Sequence, residues 1–256
     1  MKKEYILVID SGIGGLSTLS QIYKKVSANF IYFADNKNAP YGNHKKEEIF
    51  KFLDEIIEKT ISKYKVVMVV LACNTATTSS IEKLRNKYKH IKFVGTEPAI
   101  NLAIKSNYKN ILCVATKATI KQKRLKTLKK RSFSNVKFLG LTNFASAIEN
   151  YFVCKNFWAY FVILKNLYQI AKKSRNFDCL VLGCTHYIFL DDKIRKFSNK
   201  PTFDGNTGVA NQVLFWHAKI TKNPANKTNV KFLFSNPNLA MLQIYKKIFY
   251  EILAKV

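Results

Sequence analysis

The run Val66-Val67-Met68-Val69-Val70-Leu71-Ala72-Cys73 constrains this chain more than any other stretch. It is short, β-branched and uncharged, so it reads as a strand buried on both faces, the environment of a parallel sheet covered by helices. Small polar residues, Asn74-Thr75-Ala76-Thr77, follow the cysteine, and Thr77 to Leu84 reads as the opening of a helix. Cys73 is therefore expected at the carboxyl edge of a strand, in the crevice where open α/β sheets bind ligands. Near a helix N-terminus, the positive end of the dipole favours the thiolate form. The pattern returns in the second half of the chain as Cys179-Leu180-Val181-Leu182-Gly183-Cys184-Thr185-His186-Tyr187.

The rest of the chain alternates apolar runs with amphipathic ones. Tyr5 to Ile9 reads as the first strand, entering the glycine-rich turn Asp10-Ser11-Gly12-Ile13-Gly14-Gly15, whose amides can face an anion. A helix to about Val26 and a strand at 29–34 follow, then a loop ending Ala39-Pro40-Tyr41-Gly42. Residues 47–64 form an amphipathic pattern with Ile49, Phe50, Leu53, Ile56, Ile57 and Ile61 inward. A short strand at 91–94 leads into Gly95-Thr96-Glu97-Pro98-Ala99, taken as a boundary. Beyond it come strands at 110–115 and 136–139, a largely helical stretch from Asn143 to Tyr168, and the Cys179–Cys184 strand. Pro201 to Gly205 is expected to return the chain to the first lobe; a helix over 211–219, a strand over 231–235 and a helix over 239–254 close it. This alternation predicts an α/β protein with mostly parallel sheets. The expected lobes are 1–95 with 206–256, and 96–205.

At 256 residues the chain is long enough for two such cores. The cysteines number five, show no CxxC and match no zinc spacing, and the first apolar segment is too short for a signal peptide or membrane span. Free thiols in a reducing cytoplasm are the expectation. A formal charge of +27 invites a nucleic-acid reading. Against it, only five of the 43 basic residues are arginines. The densest run, Lys121 to Arg131, also carries Ile120, Leu125 and Leu128 on a helical stripe, as a solvated helix face would. The surplus should still concentrate small anions.

Free cysteines are usually small buried residues. That reading is kept for Cys113 and Cys179 within strands, and for Cys154 in an apolar helical stretch. Cys73 and Cys184 differ, because amide, hydroxyl and imidazole groups follow at once and suit a dry core poorly. Asp10-Ser11 can serve as an N-cap or as part of a site. His186 is the histidine beside a candidate thiol, whereas His44, His90 and His217 have polar or lysine-rich neighbours.

Together, Asp10-Ser11-Gly12-Ile13-Gly14-Gly15, Ala39-Pro40-Tyr41-Gly42, Ala72-Cys73-Asn74-Thr75-Ala76, Gly95-Thr96-Glu97-Pro98-Ala99 and Gly183-Cys184-Thr185-His186-Tyr187 resemble the glutamate racemase family in order and spacing, over residues from about 5 to 205. The resemblance implies two pseudo-symmetric α/β lobes with the active site in the cleft between them. It further implies cofactor-independent and metal-free racemisation of L-glutamate to D-glutamate for bacterial peptidoglycan, commonly by a homodimer.

By the same resemblance Cys73 and Cys184 are the proton-transfer residues, Cys73 acting on the D- and Cys184 on the L-enantiomer. Asp10 and His186 assist the thiols, while Ser11, Asn74, Thr75 and Thr185 contact the substrate. Tyr41 and Gly42 line the pocket, and Thr116 and Thr119 add hydroxyl donors. Two segments depart from the family pattern. Asn143-Phe144-Ala145-Ser146-Ala147-Ile148-Glu149 lacks the proline that in the family often precedes a glutamate proposed to assist catalysis, so the resemblance leaves the role of Glu149 open. Asp204-Gly205-Asn206 stands where many relatives have Asp-Ser-Gly. No N-terminal extension of the kind found in precursor-activated members is present, so no such activation is expected. Three rivals stand beside this reading: an aspartate racemase of the same superfamily, a basic nucleic-acid-binding or gyrase-regulating protein on the racemase scaffold, and a redox role for the cysteine pair.

Overall fold

Parallel strands, each buried where its apolar run is densest, build the protein. A computed structural model describes residues 3–121, 134–221, 225 and 227–255. Its first elements are β1 (Glu4–Asp10), α1 (Gly15–Lys25), β2 (Asn29–Ala34), α2 (Lys46–Ile61), β3 (Lys65–Leu71), α3 (Asn74–Lys87) and β4 (Lys92–Gly95). They are followed by α4 (Ile100–Lys105), β5 (Asn110–Thr116), α5 (Lys117–Ile120), β6 (Asn135–Leu141), α6 (Phe144–Phe152), α7 (Trp158–Ser174), β7 (Cys179–Leu182), α8 (Asp191–Ser198) and β8 (Thr202–Phe203). The chain closes with α9 (Asn206–Ile220), β9 (Asn229–Phe234) and α10 (Leu239–Lys255). Two compact units result, one comprising Met1–Thr96 with Asn206–Val256 and the other Glu97–Gly205.

All strand pairings in both sheets are parallel. The first sheet runs β4-β3-β1-β2-β9 and the second β6-β5-β7-β8. Written from the other edge, the second reads β8-β7-β5-β6, the same order as β4-β3-β1-β2. Each unit therefore repeats one winding, with β3 and β7 in equivalent positions beside the central β1 and β5. Within the ladders, Ile6–Ile9, Met68–Leu71, Ile111–Val114 and Cys179–Leu182 are all buried. These two-sided strands are why the sequence shows continuous apolar runs rather than alternation.

Helix α2 buries Ile49, Leu53, Ile56, Ile57 and Thr60, a stripe at helical spacing that packs on β1, β2 and β3. Phe50 and Ile61, expected inward, are only partly buried at its margins. In the second unit, α6 and α7 cover one face through Phe144, Ile148, Ile163, Leu167 and Ile170.

Several boundaries differ from those read off the sequence. The stretch from Asn143 to Tyr168 is two helices, broken at residues 153–157, with Lys155 in the left-handed region at φ 54°. Cys154 is consequently exposed in that turn and not part of a core. Thr202–Phe203, read as a return segment, is the short edge strand of the second sheet, where Phe203 packs on Tyr108. Helix α9 begins at Asn206, five residues earlier than its apolar pattern suggested, and Asn206 Oδ1 accepts a 2.7 Å bond from Thr18 Oγ1 on α1. Apart from Lys121, the basic run Lys121–Arg131 lies outside the described residues.

The strand-to-helix turn after β1 depends on Gly15 for close approach. A Cβ there would lie 2.7 Å from Asp10 Cβ and 2.9 Å from Ala72 Cβ. Gly15→Ala should lower unfolding stability by about 1–3 kcal/mol through overpacking, measured by urea denaturation. Gly208→Ala, in α9 with nothing within 4 Å, should cause no such loss.

Candidate active site

In the first unit the ladder between β1 and β3 ends with Ala72 N donating to Ile9 O at 2.8 Å. The next residue, Cys73, is the N-cap of α3, in extended conformation, and only 9% exposed. Thr77 anchors the junction: its amide donates to Cys73 O and its hydroxyl to Leu71 O. The orphan amides of the first helical turn thus begin at the cysteine, where the macrodipole favours negative charge. Asn74 and Thr75 are buried beside it, and Asn74 Oδ1 has no hydrogen-bond partner.

Asp10 closes β1 from the adjacent strand. Its carboxylate accepts the Gly12 amide at 2.8 Å, and its carbonyl accepts the Asp35 amide at 2.9 Å. Ser11 is buried next to it. Tyr32 donates its hydroxyl to Gly12 O at 2.6 Å, pinning the turn from β2. The Tyr41 hydroxyl donates to Asp35 Oδ2 at 2.7 Å, and Asn38 donates to both oxygens of the same carboxylate. Burial first, then the charge and hydrogen bond of Asp35 and the nearby Cys73 and Asp10, holds the Tyr41 phenol well above the usual range. Tyr41 is therefore a fixed, neutral group. Gly42 sits with it in the 3-10 turn Tyr41–Asn43.

The second unit repeats the construction with different chemistry. Gly183 N donates to Val114 O at 2.8 Å, ending the β5–β7 ladder, and Cys184 follows as N-cap of the 3-10 helix Thr185–Leu190. A Cβ on Gly183 would stand 2.9 Å from Ala115 Cβ, so the strands approach closely just before the thiol. His186 Nε2 meets Glu149 Oε2 at 2.9 Å, with both side chains largely buried. Burial alone would lower the imidazole pKa. Hydrogen bonds to Cys184 and Glu149, with their charges, outweigh it and hold His186 well above its usual value. Thr185 and Tyr187 are buried alongside, the ring of Tyr187 packed 4.7 Å from Phe144 and its hydroxyl unpartnered.

Thr116 and Thr119 stand at the end of β5, the strand beside β7. Their hydroxyls are 2.9 Å apart and Thr119 N donates to Thr116 Oγ1, a local cap for α5. Cys113 and Cys179 are buried within strands, and burial pushes each thiol up to about 12. They are inert core residues. Each unit thus gathers its own set: Asp10, Tyr41 and Cys73 in the first, Cys184, His186 and Glu149 in the second.

Sequence reasoning missed Asp35 and gave Glu149 no firm role. Asp35 directly follows β2, so its placement just past a strand end was a usable signal. Glu149 had only the family resemblance to mark it, because a glutamate on an amphipathic helix is ordinarily solvated. Among the described residues, no group of three or more His, Cys, Asp or Glu is placed to hold a metal ion. None of their helices is long and apolar enough to cross a membrane.

Two parallel sheets wound alike, each ending a strand at a cysteine among small polar groups, define a two-unit α/β scaffold. The solved structure of Escherichia coli glutamate racemase, in complex with L-glutamate and the activator UDP-MurNAc-Ala, superposes with a TM-score of 0.81 at 24% identity. The match covers 98% of this chain and 95% of that one, and shows the shared fold. No family model matches the sequence. Curated relatives carry the comparison further. The glutamate racemase of Clostridium botulinum is 33% identical over 259 residues, 96% of this chain and 97% of the relative. That of Clostridium novyi is 35% identical over 251 residues, 93% and 94% of the two chains. The chain belongs to the glutamate racemase family.

The His186–Glu149 pair has a measurable signature. An imidazole whose folded pKa is raised adds stability that is complete below its unfolded pKa of about 6.5 and fades as pH rises through the folded value. By 15N NMR, His186 should remain doubly protonated at pH 7, and Glu149→Gln should move its titration downward. The stability gap between wild type and variant should be widest in mild acid and narrow in alkali.

Proposed function

We propose that this protein racemises glutamate by two-thiol proton transfer, without cofactor, to supply D-glutamate for peptidoglycan. The observation that carries the reading is the pair of buried cysteines at equivalent strand ends, together with membership in the glutamate racemase family. Racemisation takes the α-proton from one face of the amino acid and returns a proton to the other. One base cannot readily serve both faces, so a thiolate and a thiol acting from opposite sides form the minimal pair.

On this reading the two half-sites share one glutamate. For L-glutamate, Cys184 thiolate accepts the α-proton, the electron pair stays on the α-carbon, and Cys73 gives its proton to the opposite face. The reverse reaction begins with Cys73 acting on D-glutamate. Each turnover leaves the protonation states exchanged. Fixed donors must carry the charge of the carbanionic transition state. Ser11, Asn74, Thr75, Thr185, Thr116 and Thr119 are the proposed contacts to the substrate ammonium and carboxylates, with Tyr41 and Gly42 shaping the pocket. Asp10 assists Cys73, and His186, held by Glu149, assists Cys184. The open acceptor of Asn74 suits the ammonium group.

Incubation with L-glutamate in deuterated buffer, with no added cofactor, should produce D-glutamate with deuterium at the α-carbon. L-Aspartate offered alongside should react far more slowly. Cys73→Ala and Cys184→Ala should each lower kcat by about 1,000-fold or more, since a general acid or base contributes 100- to 10,000-fold. Unimpaired racemisation in either variant would reject the two-thiol scheme.

A further inference from the structure

The first unit holds a second concavity, whose walls do not include Cys73. It is a cavity of about 730 Å³ between α2 and the β2–β9 side of the sheet. Drug-sized ligands bind in cavities of roughly 300–1,000 Å³. Its origin lies in the topology. Strand β9 extends the sheet beyond β2 in register, pairing Phe33 with Leu233 and Ile31 with Lys231. Helix α10 covers the opposite face, where Phe249 packs on Phe232 and Tyr245 on Tyr32. On the α2 side Phe33 and Leu233 form a floor under Phe52, Ile56 and Tyr64, and at the outer edge Leu239 and Leu242 from the start of α10 complete the lining.

The rim selects the sign of an occupant. Lys37, Lys59 and Lys63 stand around the cavity. Lys59 shares Glu55 at 3.7 Å, whereas Lys37 and Lys63 make no ion pair among the described residues. Asp35 also reaches the wall, but Tyr41 and Asn38 already satisfy its carboxylate. An apolar interior under two unpaired ammonium groups suits a molecule with a greasy body and an anionic head. A second copy of a chain with a charge of +27 would instead bring like charge to the same rim.

The cavity is also one side chain away from the candidate site. Phe52, in its wall, stacks on the Tyr41 ring at 6.4 Å with an interplanar angle of 25°. Asp35, also in its wall, accepts the Tyr41 hydroxyl. Ring and hydroxyl of Tyr41 are therefore both positioned by residues that an occupant would touch.

We propose that this cavity binds an amphiphilic anion, an acyl or aromatic body bearing one carboxylate or phosphate, and that occupancy alters substrate affinity through Tyr41. The coupling rests on the reading of Tyr41 as a substrate-pocket residue; the binding does not. Titration calorimetry with dodecanoate and dodecyl phosphate, below their micellar concentrations, tests the site. Each should bind at one saturable site, while dodecyltrimethylammonium and acetate should not. Replacing both rim lysines, Lys37→Glu with Lys63→Glu, should weaken anion binding about tenfold, as two partly exposed charge contacts would. Trp158→Ser with Phe161→Ser, on the exposed face of α7, should leave it unchanged. Saturating dodecanoate should shift calorimetric L-glutamate affinity by about fivefold or more in wild type, and not in the lysine variant.

Absent saturation, equal binding of the cationic amphiphile, or affinity that follows Trp158 and Phe161 would overturn the site. Anion binding with unchanged glutamate affinity would overturn the coupling. Neither result depends on turnover, so failure of racemisation in deuterated buffer is read separately.

Discussion

A strand buried on both faces has nowhere to put a polar side chain until its ladder ends, and both candidate thiols obey this constraint. The last ladder bonds, Ala72 N to Ile9 O and Gly183 N to Val114 O, mark where backbone pairing stops in β3 and β7. One residue later the chain turns into a helix and its next amides are unpaired by the helix itself. A cysteine at that junction stays attached to a rigid sheet yet sits at the start of a helix. Cys113 and Cys179, inside the ladders, carry the same side chain and gain nothing but burial, which drives their thiols out of the reactive range.

The two units answer the same constraint with different electrostatics. Cys73 begins a full α-helix and is accompanied by Asp10 and by neutral polar groups, Asn74, Thr75 and Tyr41. Cys184 begins a 3-10 helix and is accompanied by an imidazole whose pKa Cys184 and Glu149 together hold above its usual value. Tyr41 is itself held from behind by Asp35 and Phe52, so its position reports on packing outside the half-site. The surroundings of the two cysteines therefore differ in charge as well as in helix type.

Much of this architecture was legible because the relevant signals are local. The uninterrupted apolar runs at 66–72 and 179–182 could only be two-sided strands, and their alternation with helical stripes implied parallel order. Boundaries were less legible where tertiary contacts set them. Helix α9 starts at Asn206 because its side chain bonds Thr18 across the fold, a contact 188 residues apart that no local pattern encodes. The break between α6 and α7 was hidden by aromatic residues that look continuous in sequence. Phe157, Trp158 and Phe161 are in fact exposed.

By itself the sequence determined the class of fold, the winding of strands and helices, and the two cysteines that fall just past strand ends, because hydrophobic periodicity and strand termination are written within a few neighbouring residues. Tertiary structure alone decided which distant side chains meet within each unit. It brought Glu149 onto His186, Asp35 onto Tyr41, and an open cavity against Phe52, pairings made by packing between elements that are separate in the chain. Such contacts depend on where whole helices settle on a sheet, and that position is the sum of many weak apolar contacts rather than the property of any one residue.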